Sequence, residues 1–251
     1  MCGRYASSRS AGELVDEFEI EEIRVAAPLE ASYNVAPTDE VYAVVERPPR
    51  READAEPEPP QRQLRSLRWG LVPSWAKDRA IGSRMINARM ETVAEKPAFR
   101  KAFASRRCLL PADGYYEWYE TEVAGRNGKP VKQPFFIRPK DHGVLAMAGL
   151  YEIWRDPDRA DDDPDRFLWS CTVITTRAED ELGRIHDRMP LMVERERWRD
   201  WLDPTRAAGT DLLVPAAPGL LEAYPVRPAV GNVRNNGPEL LEPLPLEQVD
   251  P

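Results

Sequence analysis

The sequence predicts one strand-rich domain carrying a few short helices. Two observations carry that expectation. Short apolar runs bounded by Pro, Gly or Asp recur along the chain, at 41–45, 107–112, 114–118, 135–137, 145–151 and 169–175, whereas helical spacing of apolar residues is confined to a few brief stretches. In addition, no break in composition divides the 251 residues. The Pro-, Arg- and Glu-rich stretch 47–62 reads as a hairpin excursion or mobile loop, because strand-like sequence resumes directly after it. A chain of this length buries a sizeable core as one large domain or two small ones.

Taken in order, Ala11 to Phe18 has helical spacing, with Leu14, Val15 and Phe18 on one face and Ser10 placed to cap it. Ala31 to Thr38 reads as extended and then turning, since Pro37 disfavours helix at Ala36. Val41 to Val45 is a strand. Leu67 to Trp75 places two tryptophans around Gly70 and Pro73 beside basic residues; this pattern suits a core strand and turn, and equally a groove in which bases stack on rings. Asn87 and Arg89 sit on a loop before a helix expected over Pro97–Phe103. An apolar strand, a turn at Asp113-Gly114 and an aromatic strand containing Glu117 follow, then three further strands. Glu194 to Leu202 reads as a packing helix, and residues 241–251 as a flexible acidic, Pro-rich tail.

The net charge of −8 argues against nucleic acid only if acids and bases are mixed, and they are not. Between Arg62 and Arg107 there are 12 basic residues against Asp78, Glu91 and Glu95. Acids gather instead at 52–58, at 156–165 and in the tail, segments that read as solvated loops. Neither a transmembrane run nor a signal peptide is recognisable, so a cytoplasmic location is expected. Cys2, Cys108 and Cys171, with only His142 and His186 beside them, give no disulfide framework and no metal-ligand spacing; no metal and no cofactor are expected. Cys108 and Cys171 read as core, and His142 as an exposed turn residue.

Met1-Cys2-Gly3-Arg4 reads in two ways: Cys2 is simply a small residue that permits removal of Met1, or it is a reactive group. Removal of Met1 turns Cys2 into a 1,2-aminothiol, whose amine (reference pKa about 7.7 to 8.0) and thiol (about 8.5) are both partly reactive near neutrality. An aldehyde condenses with such an amine to a Schiff base, and the sulfur then closes on the imine carbon as a thiazolidine. Glu117, between Tyr116 and Trp118, points outward by simple strand alternation or inward; if inward, desolvation raises its pKa and suits it to proton transfer. His186 lies in a loop beside an acid, a base and a Pro, where catalytic groups are often placed.

Together, Met1-Cys2-Gly3-Arg4, Tyr33-Asn34-Val35-Ala36-Pro37, Trp69-Gly70-Leu71-Val72-Pro73, Ile86-Asn87-Ala88-Arg89, Arg107-Cys108-Leu109, Gly114-Tyr115-Tyr116-Glu117-Trp118, His186-Asp187-Arg188-Met189-Pro190 and Val233-Arg234-Asn235-Asn236-Gly237-Pro238 resemble the SRAP (SOS response-associated peptidase) family. The likeness spans nearly the whole chain in the right order. It implies a single α+β domain over 1–240, built on a strongly curved, barrel-like antiparallel sheet flanked by helices, with 47–62 and 155–166 as surface insertions. It further implies a monomer that recognises abasic sites in single-stranded DNA. Such a protein removes its own Met1, captures the open-chain sugar on Cys2 through Schiff-base, lyase-like chemistry, and protects the lesion during the DNA damage response, associated with the nucleoid when bound. Carried over residue by residue, Cys2 is the nucleophile, Asn87 positions the amine or sugar, and Glu117 and His186 move protons. Arg4, Asn34, Pro37, Trp69, Trp75, Arg89, Thr175, Thr176, Arg188, Met189 and Pro190 would contact DNA. The rival reading from another class is an N-terminal-nucleophile amidohydrolase of the glutamine amidotransferase kind, which also exposes a Cys after Met1. A reversible binding module and a peptidase acting on other proteins are further alternatives.

Overall fold

The computed structural model describes residues 2–48, 58–125, 128–178 and 181–245. Chain order begins with β1 (Tyr5–Ser7), α1 (Ala11–Phe18), β2 (Glu22–Arg24), β3 (Ser32–Val35), β4 (Glu40–Arg47), β5 (Gln61–Trp69) and β6 (Asn87–Arg89). It continues through α2 (Arg100–Ser105), β7 (Arg107–Ala112), β8 (Gly114–Ala124), β9 (Pro130–Pro139), β10 (Leu145–Arg155) and β11 (Phe167–Arg177), and ends with β12 (Arg188–Pro190), α3 (Trp198–Leu202) and β13 (Leu221–Pro225).

The strands form two sheets. One runs β13-β9-β8-β1-β3; the other runs β12-β11-β10-β7-β4-β5-β2, with β6 added alongside β11. The second sheet closes on itself, because β11 also pairs with β5 through Ser170 opposite Arg68 and Cys171 opposite Trp69. Strands β5, β4, β7, β10 and β11 therefore make a five-stranded barrel, antiparallel at every step except this parallel seam. The expected α+β domain with a barrel-like sheet is what the chain forms.

Alternation along the barrel strands feeds two cores. Val44, Leu109, Ala148 and Ile174 face the helices, where Phe18 stacks on Trp198 with ring centroids 4.5 Å apart. Val45, Cys108, Met147 and Val173 face the first sheet, packing with Cys2, Tyr5, Tyr115 and Ile137. The opposite face of the first sheet, with Ala6, Tyr116 and Phe136, is covered by Val226, Val230 and Leu240 of the C-terminal segment. Cys2 thus lies in the layer between the two sheets. Cys108 and Cys171 are buried core residues as expected, and His142 is exposed with a positive φ of 60°.

Local signals explain several elements. Ser10 and Glu13 form a reciprocal capping box at the start of α1, and Glu19 ends it in the left-handed region. β4 and β5 pair antiparallel from Glu40 opposite Arg68 to Arg47 opposite Gln61; residues 49–57 of the excursion expected between them lie outside the described residues. Other expectations are corrected. The helix placed at 97–103 begins only at Arg100, because Lys96 to Phe99 form turns first. The helix placed at 194–202 is a 3₁₀ turn at Arg195–Arg197 followed by α3. The turn expected at Asp113-Gly114 is present as a bend at Asp113, and because β7 lies in the barrel and β8 in the other sheet, the chain crosses between layers there. Asp113 holds that crossing by accepting from the Ser8 N–H at 2.6 Å. Residues 241–245 of the expected flexible tail are placed, since the Leu244 N–H donates to Pro225 O at 2.8 Å; 246–251 lie outside the described residues.

Candidate functional site

Two edges bring the N-terminus to its neighbours. On one side β1 runs antiparallel to β8, with Tyr5 opposite Tyr115 and the Tyr116 N–H donating to Arg4 O at 2.9 Å. Extending that register along the strand sets Gly3 opposite Glu117. On the other side β6 lies parallel to β11, with Asn87 beside Val173. From there Asn87 Nδ2 donates to Cys2 O at 2.7 Å. The residue before Asn87 is itself pinned, as the Trp69 indole N–H donates to Ile86 O at 2.9 Å. Gly70 permits this packing: its φ is +126°, and a side chain there would meet Gly82 O at 2.7 Å.

Burial sets the electrostatics. Glu117 is only 3% exposed, so alternation points it inward, and desolvation pushes its carboxyl up to about 7. The Cys2 thiol is raised far above its ordinary value, first by complete burial and then by the Glu117 charge; sulfur and carboxyl are therefore within electrostatic reach of each other. Burial lowers the His186 pKa. Its Nδ1 accepts from the Arg188 N–H at 3.0 Å and also lies 3.1 Å from Asp187 Oδ1. Nδ1 cannot accept from the amide and donate to the carboxylate at once. The lowered pKa favours the neutral ring, with the proton on Nε2. Asn87 Oδ1 is buried without a hydrogen-bond partner among the described residues, leaving an acceptor beside the Cys2 backbone.

The structure sorts the remaining candidates. Trp75 is 56% exposed and Arg89 is exposed, with Lys77, Arg79 and Arg84 on the same segment also at the surface. Pro37 and Met189 are partly exposed. Trp69 is fully buried, edge-on to Tyr5 with centroids 5.1 Å apart. Asn34 is likewise buried and belongs to a clamp. Its Nδ2 donates to Val230 O (3.2 Å), Asn232 O (3.1 Å) and Asn235 O (2.9 Å), while its Oδ1 accepts from Arg4 Nη1 at 2.7 Å. Arg4 is committed further to Val230 O at 2.9 Å. Arg188 grips Glu91 through both guanidinium nitrogens, at 2.6 and 3.0 Å, and also donates to Thr175 O at 2.6 Å. Thr175, Thr176 and Pro190 are buried in the β11–β12 pairing. The basic segment is correspondingly broken up, since Arg62 pairs with Glu46, Arg106 with Glu152, and Arg107 is buried among backbone carbonyls including Trp201 O and Phe103 O.

The family model for SOS response associated peptidase (SRAP) matches residues 1–233. The chain belongs to the SRAP family. Abasic site processing protein YoqW of Bacillus subtilis is 37% identical over 245 residues, covering 96% of this chain and 99% of that one. Abasic site processing protein YedK of Escherichia coli is 31% identical over 253 residues, covering 97% and 100%. Among solved structures, a Bacteroides thetaiotaomicron protein superposes with a TM-score of 0.77 at 23% identity over 97% of this chain and 100% of that one, a likeness of fold. Among the described residues no group of His, Cys, Asp and Glu could hold a metal ion, and no helix is long and apolar enough to cross a membrane.

Proposed function

We propose that this SRAP protein processes abasic sites in single-stranded DNA and captures the lesion covalently on Cys2. The observation that carries the reading is the convergence of Asn87, inward-facing Glu117 and buried Cys2 at the chain's start. The names of its relatives, abasic site processing proteins, point to the same substrate.

Hydrolysis of the Met1–Cys2 peptide bond by water frees the Cys2 amine. The amine adds to the C1′ aldehyde of the open-chain sugar, giving a carbinolamine. Glu117, about half protonated at pH 7, gives its proton to the departing hydroxyl, which leaves as water, and an iminium remains. The Cys2 sulfur then bonds to the iminium carbon, and its proton passes to the Glu117 carboxylate. A thiol held so far above its ordinary pKa is a poor free nucleophile; the positive iminium and a nearby base make its deprotonation favourable at that step. Neutral His186, presenting Nε2–H, serves as the second proton carrier and hydrogen-bonds the sugar oxygen. Exposed Trp75 and Arg89 supply base stacking and a phosphate contact.

Incubation with single-stranded DNA bearing one abasic site, followed by a denaturing gel, tests the reading. A retarded band that Cys2→Ala abolishes is expected; no band with the wild-type protein, or an equally stable band with Cys2→Ala, removes it. Release of ammonia from glutamine would instead favour the amidohydrolase.

A further inference from the structure

A cleft of about 720 Å³ opens beside the site, and no motif in the sequence marks it. Its floor is the face of the first sheet that carries Glu117. Phe135 stands directly opposite Glu117 across the β8–β9 pairing, so the two side chains share that face. Tyr119, two residues beyond Glu117, shares it as well, and its ring meets Phe135 edge-on with centroids 6.5 Å apart. Ile185, the neighbour of His186, forms the facing wall with Leu182. Lys140 and Arg184 lie at the rim, and neither makes an ion pair among the described residues. The one acid in the lining, Glu222, is held by Arg138 at 2.8 Å.

We infer that this cleft is a subsite for the nucleotide immediately flanking the lesion on one side, its base lying against Tyr119 and Phe135 and its phosphates meeting Lys140 and Arg184. The inference rests on the abasic-site reading and deepens it. Three features select a nucleotide over a protein segment. The cleft is lined by Phe135, the cross-strand neighbour of Glu117, and by Ile185, the chain neighbour of His186, so a strand whose abasic sugar reaches Cys2 has this face beside it on one side. Its volume lies in the range of small-ligand pockets. Exposed aromatic rings interleaved with unpaired cations are what single strands bind without regard to sequence. Tyr119 is 40% exposed, which nothing in the packing of the two sheets requires.

The test uses labelled single strands with one abasic site, extended on both sides or truncated at the lesion on the 5′ or the 3′ side. Capture rates are measured at limiting full-length protein. For the wild type, one of the two truncations is expected to slow capture about tenfold. In Tyr119→Ala, and separately in the double variant Lys140→Gln with Arg184→Gln, the ratio between extended and truncated strands should fall toward one. Indifference of the wild type to both truncations, or a ratio unchanged in both variants, overturns the proposal. Should the wild type capture no strand at all, the abasic-site reading falls by itself. The cleft is then judged by photocrosslinking undamaged single strands carrying 5-iodouracil: an adduct on the peptide containing Tyr119 upholds it. An adduct elsewhere, or self-association that Tyr119→Ala abolishes, assigns the cleft to another occupant and overturns it.

Discussion

Glu117 is where chemistry and stability meet. Its carboxyl titrates near 7 instead of 4.5 because it is buried, so the folded protein holds a proton there that the unfolded chain has lost. Between those two values the folded state binds more protons, and stability therefore declines as pH rises through the window. The decline amounts to about 3 kcal/mol on conversion of the shift and is complete above pH 7. Glu117→Gln should flatten that profile and raise the melting temperature at pH 8 relative to wild type, while slowing DNA capture by about 10²- to 10⁴-fold. Denaturation followed across pH 4.5 to 8, beside capture rates, checks both; an unchanged pH slope would mean that the carboxyl is not the desolvated group. Asn87→Ala leaves Cys2 O without its donor, an expected loss of about 1–3 kcal/mol, with capture falling more than stability accounts for. The residue identities at the site were legible, because a Cys next to the start, one acid in an aromatic run and a rare His each stand out in the sequence. What burial did to the other candidates was not legible. Trp69 and Trp75 sit in the same short motif, yet one packs under Tyr5 and the other projects into solvent, and only the closure of the barrel at Cys171–Trp69 decides between them.

At the scale of elements, the C-terminal segment is tied to the start of the chain through Asn34 and Arg4 together, since Arg4 also donates to Val230 O. Asn34 on β3 spends its amide on three carbonyls of residues 230–235 and its carbonyl oxygen on Arg4, two residues from Cys2. Asn34→Ala is expected to destabilise the fold by about 2–3 kcal/mol, read as a lower urea midpoint, and to slow capture through Arg4 with no change in the salt dependence of DNA binding. A change in salt slope would mean that the Arg4 guanidinium released from Asn34 alters a phosphate contact. β4, α1 and the strands at 135, 145 and 169 were readable from periodicity and capping, since those signals are local. The turn at Asp113-Gly114 was legible from its residue types, but which strands pair beside it was not: β8 pairs with β9 and with β1, the latter more than a hundred residues upstream. Phe135 opposite Glu117 escaped for the same reason, as register between strands is written in the sheet and not in either strand alone.

For the whole molecule, two sheets enclose the start of the chain, and charge is distributed so that a protein of net charge −8 can still offer a local basic surface. Several of the basic residues between 62 and 107 hold structure, while Lys77, Arg79, Arg84, Arg89, Lys96, Arg100 and Lys101 are exposed. Arg89→Gln should lower the slope of log affinity against log salt for single-stranded DNA by about 0.7, measured by anisotropy, whereas Arg107→Gln should unfold the protein and not change that slope selectively. The overall class was readable because many short strands and few helices leave little choice; the parallel seam that closes the barrel was not, since it joins residues about a hundred positions apart. The central claim is that amine and sulfur of one residue share a sugar carbon. Nuclease and protease digestion of the captured complex, followed by mass spectrometry of the modified peptide, examines it directly. The expected species begins at Cys2 and carries the sugar with loss of a single water, resistant to borohydride because no imine remains. A modified peptide that still begins with Met1, or an adduct on a lysine, would contradict the account.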